Sequence, residues 1–347
     1  MYFYDIKKIN NLLKLKNKKI LIITSKFHSK RTYFLSMINS LKKLNNLSVY
    51  QDVESGAGIR NLKKLLNKFE IPQYIIAVGG GSVMDIAKAY SCICYVKKKN
   101  FKNINFKKKV YTILIPTVLG SGAETSRGAI LKNTNNSKIA IRHLLIKGDR
   151  TVYDLNICKL APKKLQAEAL YDCFAHALET YISKLSTKRV KTRSIKVMKK
   201  ILNYKNKNIF NSKMKLKEVA KNSYSMGLNL SESSTCLPHR IQYSVSRFTN
   251  SSHAQCIIAL HKGWIKKLER KNLEYIKISK KIYNDDTELT WKILKFKNNF
   301  NINYNLRSIC ISKKNFSKII NQVKGNLSAD PIYNNKEDIK EILQYSI

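Results

Sequence analysis

YIIAVGGGSVMDIAK, Tyr74 to Lys88, is the stretch that decides the fold. A short apolar run closes on three consecutive glycines, and a helical pattern starts at Val83 and runs to Tyr90. That is the signature of a buried strand turning directly into a helix. The glycines allow the backbone to come close to a ligand, and the helix N-terminus offers unpaired N–H groups to a phosphate. The run is not the G-x-G-x-x-G fingerprint, and a glycine turn by itself often serves tight packing only.

Outward from this turn the pattern repeats. KKILIITS (Lys18–Ser25) reads as a strand followed by a helix near Lys30 to Leu44, LSVYQDV (Leu47–Val53) as a second strand, and VYTILIPT (Val110–Thr117) as a further one. Strands alternating with helices imply a parallel sheet covered on both faces. IPTVLGSGAETS (Ile115–Ser126) supplies another glycine- and hydroxyl-rich loop at the next strand end, where open α/β sheets bind ligands. VKKKNFKNINFKKK (Val96–Lys109) reads as a solvated loop. From about Ala161 the pattern becomes helical, with a boundary between Leu155 and Pro162. The expected organisation is an α/β domain over residues 1–160 and an all-helical domain over 161–347. NNKEDIKEILQYS closes the chain as a helix with Asn335 as N-cap and acidic residues in its first turn.

The 347 residues are enough for two cored domains, and a hydrophobic content of 44% fits a folded globular chain. No apolar run approaches the roughly 20 residues needed to cross a bilayer. The start, MYFYDIKKINNLLKLKNKK, lacks the layout of a secretory signal. Seven scattered cysteines, without a C-x-x-C pair, fit reduced thiols in a cytoplasm. The formal net charge of +44 raises nucleic-acid binding as a reading. Lysine and asparagine are inflated along the whole chain, however, and no nucleic-acid motif accompanies them, so composition bias is the favoured explanation. The charge still attracts anionic ligands.

Asp172 and His176 lie four apart in LYDCFAHALETYIS, so one face of a helix carries both. His239 and His253 lie fourteen apart in PHRIQYSVSRFTNSSHA. One carboxylate with three imidazoles suits iron or zinc rather than magnesium or calcium. Taken singly, His28, His143 and His261 read as structural, Glu179 as a helix-face residue hydrogen-bonded within its domain, and Cys173 and Cys256 as small core residues.

GGGSVMDIAK, PTVLGSGAE, YDCFAHALETYIS and PHRIQYSVSRFTNSSHA, in this order, resemble the iron-containing (group III) alcohol dehydrogenase family over nearly the whole chain. The resemblance implies an N-terminal α/β dinucleotide domain, a helical metal domain and an active site in the cleft between them. It implies Asp172, His176, His239 and His253 as ligands of Fe2+ or Zn2+. It places Gly79, Gly80, Gly81 and Ser82 against the pyrophosphate of NAD(H) or NADP(H), Asp85 near the nicotinamide, Thr117, Val118 and Ser121 beside the cofactor, and Lys138 at its ribose. The metal would polarise an aldehyde oxygen while the nicotinamide carries the hydride.

Three positions depart from the family pattern. Ala254 replaces the glycine after the last histidine, which would shift the backbone there. Tyr243 replaces a histidine near the substrate; it can still donate a proton, with a much higher pKa. Ser25 stands where NAD-preferring members carry Asp, and with Lys26, Lys30 and Arg31 nearby it would tolerate NADP(H). The P-H-x-x-x-Y segment is similar to the phosphonoacetaldehyde-reductase-like subgroup, in which Arg240 or Arg247 would hold an anionic substrate. A small aldehyde or alcohol is the expected substrate and a homodimer the expected assembly. A dehydroquinate-synthase-like lyase and a degenerate, non-catalytic paralogue are the alternative readings.

Overall fold

The computed structural model describes residues 1–54, 56, 58–96, 105–133, 137–283 and 288–347. Most of the expected lysine-rich loop, residues 97–104, lies outside the described residues. The chain divides into two compact units. The first holds Met1–Ala161 with Leu216–Ala220, and the second holds Pro162–Lys215 with Lys221–Ile347.

The first unit is built on a six-stranded sheet: β1 (Tyr2–Phe3), β2 (Lys19–Ile23), β3 (Asn46–Tyr50), β4 (Tyr74–Gly79), β5 (Tyr111–Pro116) and β8 (Arg150–Tyr153), ordered β1-β8-β5-β4-β2-β3. Every pairing in it is parallel. A separate antiparallel hairpin joins β6 (Gly128–Lys132) to β7 (Lys138–Arg142). Helices α1 (Ile9–Leu13), α2 (Lys26–Ser29), α3 (Thr32–Lys42), α4 (Ile59–Lys68), α5 (Gly81–Ile93) and α6 (Leu155–Lys159) complete the unit. The apolar runs are continuous because both sheet faces are covered. Leu21, Ile23, Ile75, Ala77 and Leu114 belong to one buried cluster, whereas Ile20, Ile22, Ile76, Val78, Ile113 and Ile115 belong to another. The period-2 alternation of a strand thus feeds two cores. The helix expected near Lys30 to Leu44 is α3, and a further short helix, α2, precedes it.

The second unit is helical throughout: α7 (Lys163–Ile182), α8 (Lys188–Leu202), α9 (Lys213–Glu232), α10 (Leu237–Val245), α11 (His253–Lys271), α12 (Leu273–Ile276), α13 (Ile278–Tyr283), α14 (Leu289–Asn299), α15 (Phe316–Gln322) and α16 (Lys336–Tyr345). Of these, α9 carries the Leu216–Ala220 turn that is counted with the first unit. From Gln166 onward α7 is buried on nearly every side, including Glu168, Asp172, His176 and Glu179. Helices α11 and α16 pack so closely that a Cβ on Gly263 would sit 2.0 Å from the Ile342 carbonyl oxygen. Asn335 caps α16, its side chain accepting from the Glu337 N–H at 2.9 Å while Asp338 answers back to the Asn335 N–H. No helix among the described residues is long and apolar enough to cross a membrane.

Candidate metal centre and dinucleotide loops

In the second unit, Asp172, His176, His239 and His253 converge, with one potential ligand atom from each lying within 4.8 Å of all the others. Asp172 and His176 come from successive turns of α7. His239 sits in the first turn of α10, and His253 is the first residue of α11. Asp172 Oδ1 is 3.9 Å from His176 Nε2 and 3.6 Å from the Nε2 atoms of both His239 and His253. These gaps are too long for hydrogen bonds. A tetrahedral ion with ligands about 2.0–2.2 Å away would separate them by roughly 3.3–3.6 Å. Asp172 Oδ1 and His239 Nε2 are buried without a hydrogen-bond partner, an expensive arrangement that a cation bound between them would remove. The donor set and its spacing therefore fit a divalent transition ion. His253 is the exception to the burial, with 36% of its side chain exposed against 4–5% for the other three. The centre is open on that side.

Each ligand is held by local chemistry. At the start of α10, the N–H of Cys236 donates to Glu179 Oε2 (2.8 Å) and that of Leu237 to Asp330 Oδ2 (2.9 Å), while Pro238 has no N–H to satisfy. Two buried carboxylates thus cap the helix that presents His239. Ser252 and Gln255 form a capping box at α11. Glu168, one turn before Asp172, accepts from Tyr304 Oη (2.6 Å), Gln255 Nε2 (3.0 Å) and Ser252 Oγ (3.4 Å), which pins the turn carrying His253. Ala254 lies inside α11 and is not among the residues with positive φ. The backbone there is ordinary helix.

The electrostatics calls for positive charge. Burial pushes the Asp172 carboxyl up, but His176, His253 and His239 outweigh it and hold it well below the usual carboxylate range. Glu179 is likewise raised by burial and lowered further by His239 and His261. Burial lowers His239, yet Glu179 and Asp172 overcome this and push it up to about 9. Asp330 is raised by burial to about 6 despite its N–H donors. Tyr243, half-buried, follows His239 by one turn of α10 and shares its face.

In the first unit, the two glycine-rich loops meet at the ends of β4 and β5. Gly79 pairs with Pro116, and the Thr117 N–H donates to the Gly79 carbonyl (3.1 Å). A Cβ on Gly81 would lie 3.5 Å from Ser121 Oγ. Gly80 is the N-cap of α5. Ser82 Oγ accepts from the Gly56 N–H (3.0 Å), and Val118 is half-buried. Asp85 is fully engaged: Oδ1 faces Lys88 Nζ at 3.0 Å and Oδ2 accepts from the Ile130 N–H at 3.0 Å. It ties α5 to the β6–β7 hairpin, in which Lys138 stands cross-strand from Lys132. Ser25 occupies the N-cap position of α2 without a side-chain capping bond and forms an antiparallel bridge with Asp52.

Glu179 is hydrogen-bonded within its domain as expected, but its bond to the ligand His239 and the parts of Glu168, Asp330, Asp52 and His28 went unread. Glu179 follows Asp172 by seven and His176 by three, a spacing that already placed it on the ligand face. Glu168 precedes Asp172 by four, and Asp330 gave no local signal. Asp52, beside Ser25, is 3.7 Å from Lys26. His28 hydrogen-bonds Thr117 Oγ1 (3.1 Å) and Tyr33 Oη (2.5 Å).

A sequence profile described as iron-containing alcohol dehydrogenase matches residues 3–155, and one described as the C-terminal part of the Fe-containing alcohol dehydrogenase family matches residues 166–347. The chain belongs to the iron-containing alcohol dehydrogenase family. Among curated members it is 23% identical to the NADPH-dependent butanol dehydrogenase of Clostridium saccharobutylicum, over 99% of this chain and 95% of that one. It is 24% identical to aldehyde-alcohol dehydrogenase 2 of Entamoeba histolytica over 74% of its own length, but spans only 32% of that protein. The fold matches that of a 1,3-propanediol oxidoreductase with a TM-score of 0.89, 18% identity, and coverage of 100% and 97% of the two chains. It also matches the NADH-dependent butanol dehydrogenase A of Thermotoga maritima, with a TM-score of 0.84, 19% identity, and coverage of 98% and 94%. These likenesses agree with the family and fold expected from the motifs.

Proposed function

We propose that this member of the family transfers a hydride between NAD(H) or NADP(H) and a small alcohol or aldehyde, in a metal-dependent reaction. The observation that carries this reading is the convergence of Asp172, His176, His239 and His253 around buried, unpartnered Asp172 Oδ1 and His239 Nε2. An Fe2+ or Zn2+ ion held there would act as a Lewis acid on the carbonyl oxygen, with the nicotinamide as hydride carrier.

The chain's own residues do the rest. Asp172 would supply charge and the three imidazoles neutral donors, and the partly exposed His253 marks the side from which a substrate would reach the ion. Gly79, Gly80, Gly81 and Ser82 leave backbone N–H groups at the start of α5 for a pyrophosphate, with Thr117, Val118 and Ser121 alongside. Asp85 acts through the hairpin it holds, and Lys138 on that hairpin is the candidate ribose contact. Tyr243 is the candidate proton donor one turn from His239. The proposed setting is a cytoplasmic homodimer.

A second reading concerns the substrate. Arg240 is 6% exposed, its guanidinium donates to Ser234 Oγ (2.8 Å), and its Nε has no partner. No carboxylate pairs with it among the described residues. An unpaired buried cation favours an anionic substrate group such as a phosphonate.

The test is chelation followed by reconstitution with Fe2+ or Zn2+, then NADH and NADPH oxidation against an aldehyde panel that includes phosphonoacetaldehyde. Metal-dependent oxidation with any aldehyde supports the reading. Failure to bind stoichiometric metal with all four ligands intact would sink it.

A further inference from the structure

Glu179 lies beneath the metal centre with 0% of its side chain exposed. Its Oε1 is 2.6 Å from His239 Nδ1 and 3.1 Å from His261 Nε2, and its Oε2 accepts from the Cys236 N–H at 2.8 Å. His261, also fully buried, has Nδ1 3.3 Å from Tyr171 Oη. A carboxylate only accepts, and a tyrosine hydroxyl can donate. One proton arrangement satisfies the whole chain of contacts: Tyr171 donates to His261 Nδ1, while His261 Nε2–H and His239 Nδ1–H both donate to Glu179. With His239 neutral, as a metal ligand must be, that arrangement leaves its Nε2 without a proton, 3.6 Å from Asp172 Oδ1.

We propose that Glu179 is a positioning residue for the metal, fixing His239 as the Nδ1–H tautomer and supplying the second buried negative charge that lets the centre retain a divalent cation. The proposal rests on the reading of the four-residue cluster as a metal site. Asp172 is a ligand and Glu179 bonds directly to one, so both carboxylates place negative charge next to the site, where a divalent ion would offset it. His261 serves as the second support, because its N–H keeps the shared oxygen of Glu179 in line with His239. Hydrogen bonds from a ligating histidine to an outer carboxylate raise its basicity and lock its ring, and losing one typically costs 10–100-fold in affinity.

The experiment uses the full chain, stripped of metal, and measures Zn2+ and Co2+ binding by competition with a chelating dye. The Co2+ d–d absorption, the far-UV circular dichroism and the Tm of each metal-free variant are recorded alongside. Glu179→Gln is expected to raise the Kd by about 10–100-fold and to alter the Co2+ spectrum. His261→Asn, which empties a comparable buried position but spares the Glu179–His239 contact, should raise Kd by less than about tenfold. Glu179→Asp, with its charge kept but withdrawn by one methylene, should fall between the two, and it carries the test if the Gln variant does not fold. A Glu179→Gln or Glu179→Asp variant that binds both ions as tightly as the unaltered protein overturns the proposal, as does equal weakening by Glu179→Gln and His261→Asn. If the unaltered protein fails to bind either ion at one per chain, the underlying metal reading falls instead.

Discussion

Gly79 and Gly80 are neighbours in the same loop, but their environments demand different things. A Cβ added to Gly79 would lie 2.5 Å from Val83 Cγ2 and 2.7 Å from Val83 Cβ, roughly 1 Å inside ordinary contact. Val83 is 4% exposed and β-branched within α5, so it has one strongly preferred rotamer and nowhere to turn. The helix start must move instead. Overpacking of this kind costs about 1–3 kcal/mol. For a unit of this size, about 2 kcal/mol lowers Tm by roughly 4–8 °C. A Cβ on Gly80 would meet nothing within 4 Å, and its φ of −79° suits any residue. Gly80→Ala should therefore change stability by less than about 1 kcal/mol, the size of an N-cap effect. It would instead place a methyl group where the dinucleotide phosphate is proposed to approach the N–H groups of α5. The expected pattern is that Gly79→Ala lowers both Tm and NADH affinity, while Gly80→Ala weakens NADH binding alone, by tenfold or more. Calorimetry gives the first quantity and titration of NADH fluorescence the second. Adding Val83→Ala to Gly79→Ala should recover NADH affinity. A Gly79→Ala protein with unchanged Tm would refute the packing argument. A Gly80→Ala protein with unchanged NADH affinity would refute the phosphate role of the loop.

His253→Ala should remove stoichiometric metal and turnover while leaving the stability of the metal-free protein within about 1 kcal/mol, since this ligand is the exposed one; metal analysis and calorimetry check it. Burial, then Arg31, lowers His28 from 6.5 to about 4. The unfolded chain then takes up a proton first as pH falls below about 6.5, so stability drops between about pH 6.5 and 4 and levels off below. After discounting for its partial exposure, the loss is on the order of 1–2 kcal/mol. His28→Gln should flatten that limb in urea melts read from pH 7 to 4. Asp52 is the carboxylate beside Ser25, and repulsion of a 2′-phosphate at about 4 Å in water-like surroundings is worth about 1 kcal/mol. Asp52→Asn should shift the NADH-to-NADPH preference about fivefold toward NADPH, read from kcat/KM with each; no shift would remove Asp52 from cofactor discrimination.

The strand–glycine–helix turn was legible because its apolar run and its glycines are adjacent in sequence, while β2, β3 and β5 were legible as short apolar or β-branched runs. The β6–β7 hairpin was not, since GAILK and KIAIR are brief and bounded by basic residues. Nor was β8, whose four residues enter the middle of the sheet with Arg150 and Thr151 among them. The amphipathic α4, IRNLKKLLNK, carried a readable helical period and was passed over. In the candidate site, the i, i+4 spacing announced Asp172 and His176, and the same rule extended three residues further would have reached Glu179. Asp330 had no such spacing, because its partners are brought to it only by the tertiary fold. Reading Ala254 as a departure was sound chemistry, but the capping box at Ser252 had already committed that residue to a helix.

The two carboxylates that cap α10 come from opposite directions along the chain. Glu179 precedes Cys236 by 57 residues, and Asp330 follows Leu237 by 93. His239 is therefore held in place only when a segment made early and a segment made late have both arrived, and long-range closures of this kind form slowly. During synthesis, Asp172 and His176 can share their helix face as soon as α7 exists, while the third imidazole waits for the C-terminal quarter of the protein. An ion captured before then would meet a partial ligand set, and the full set is complete only once Asp330 has been made.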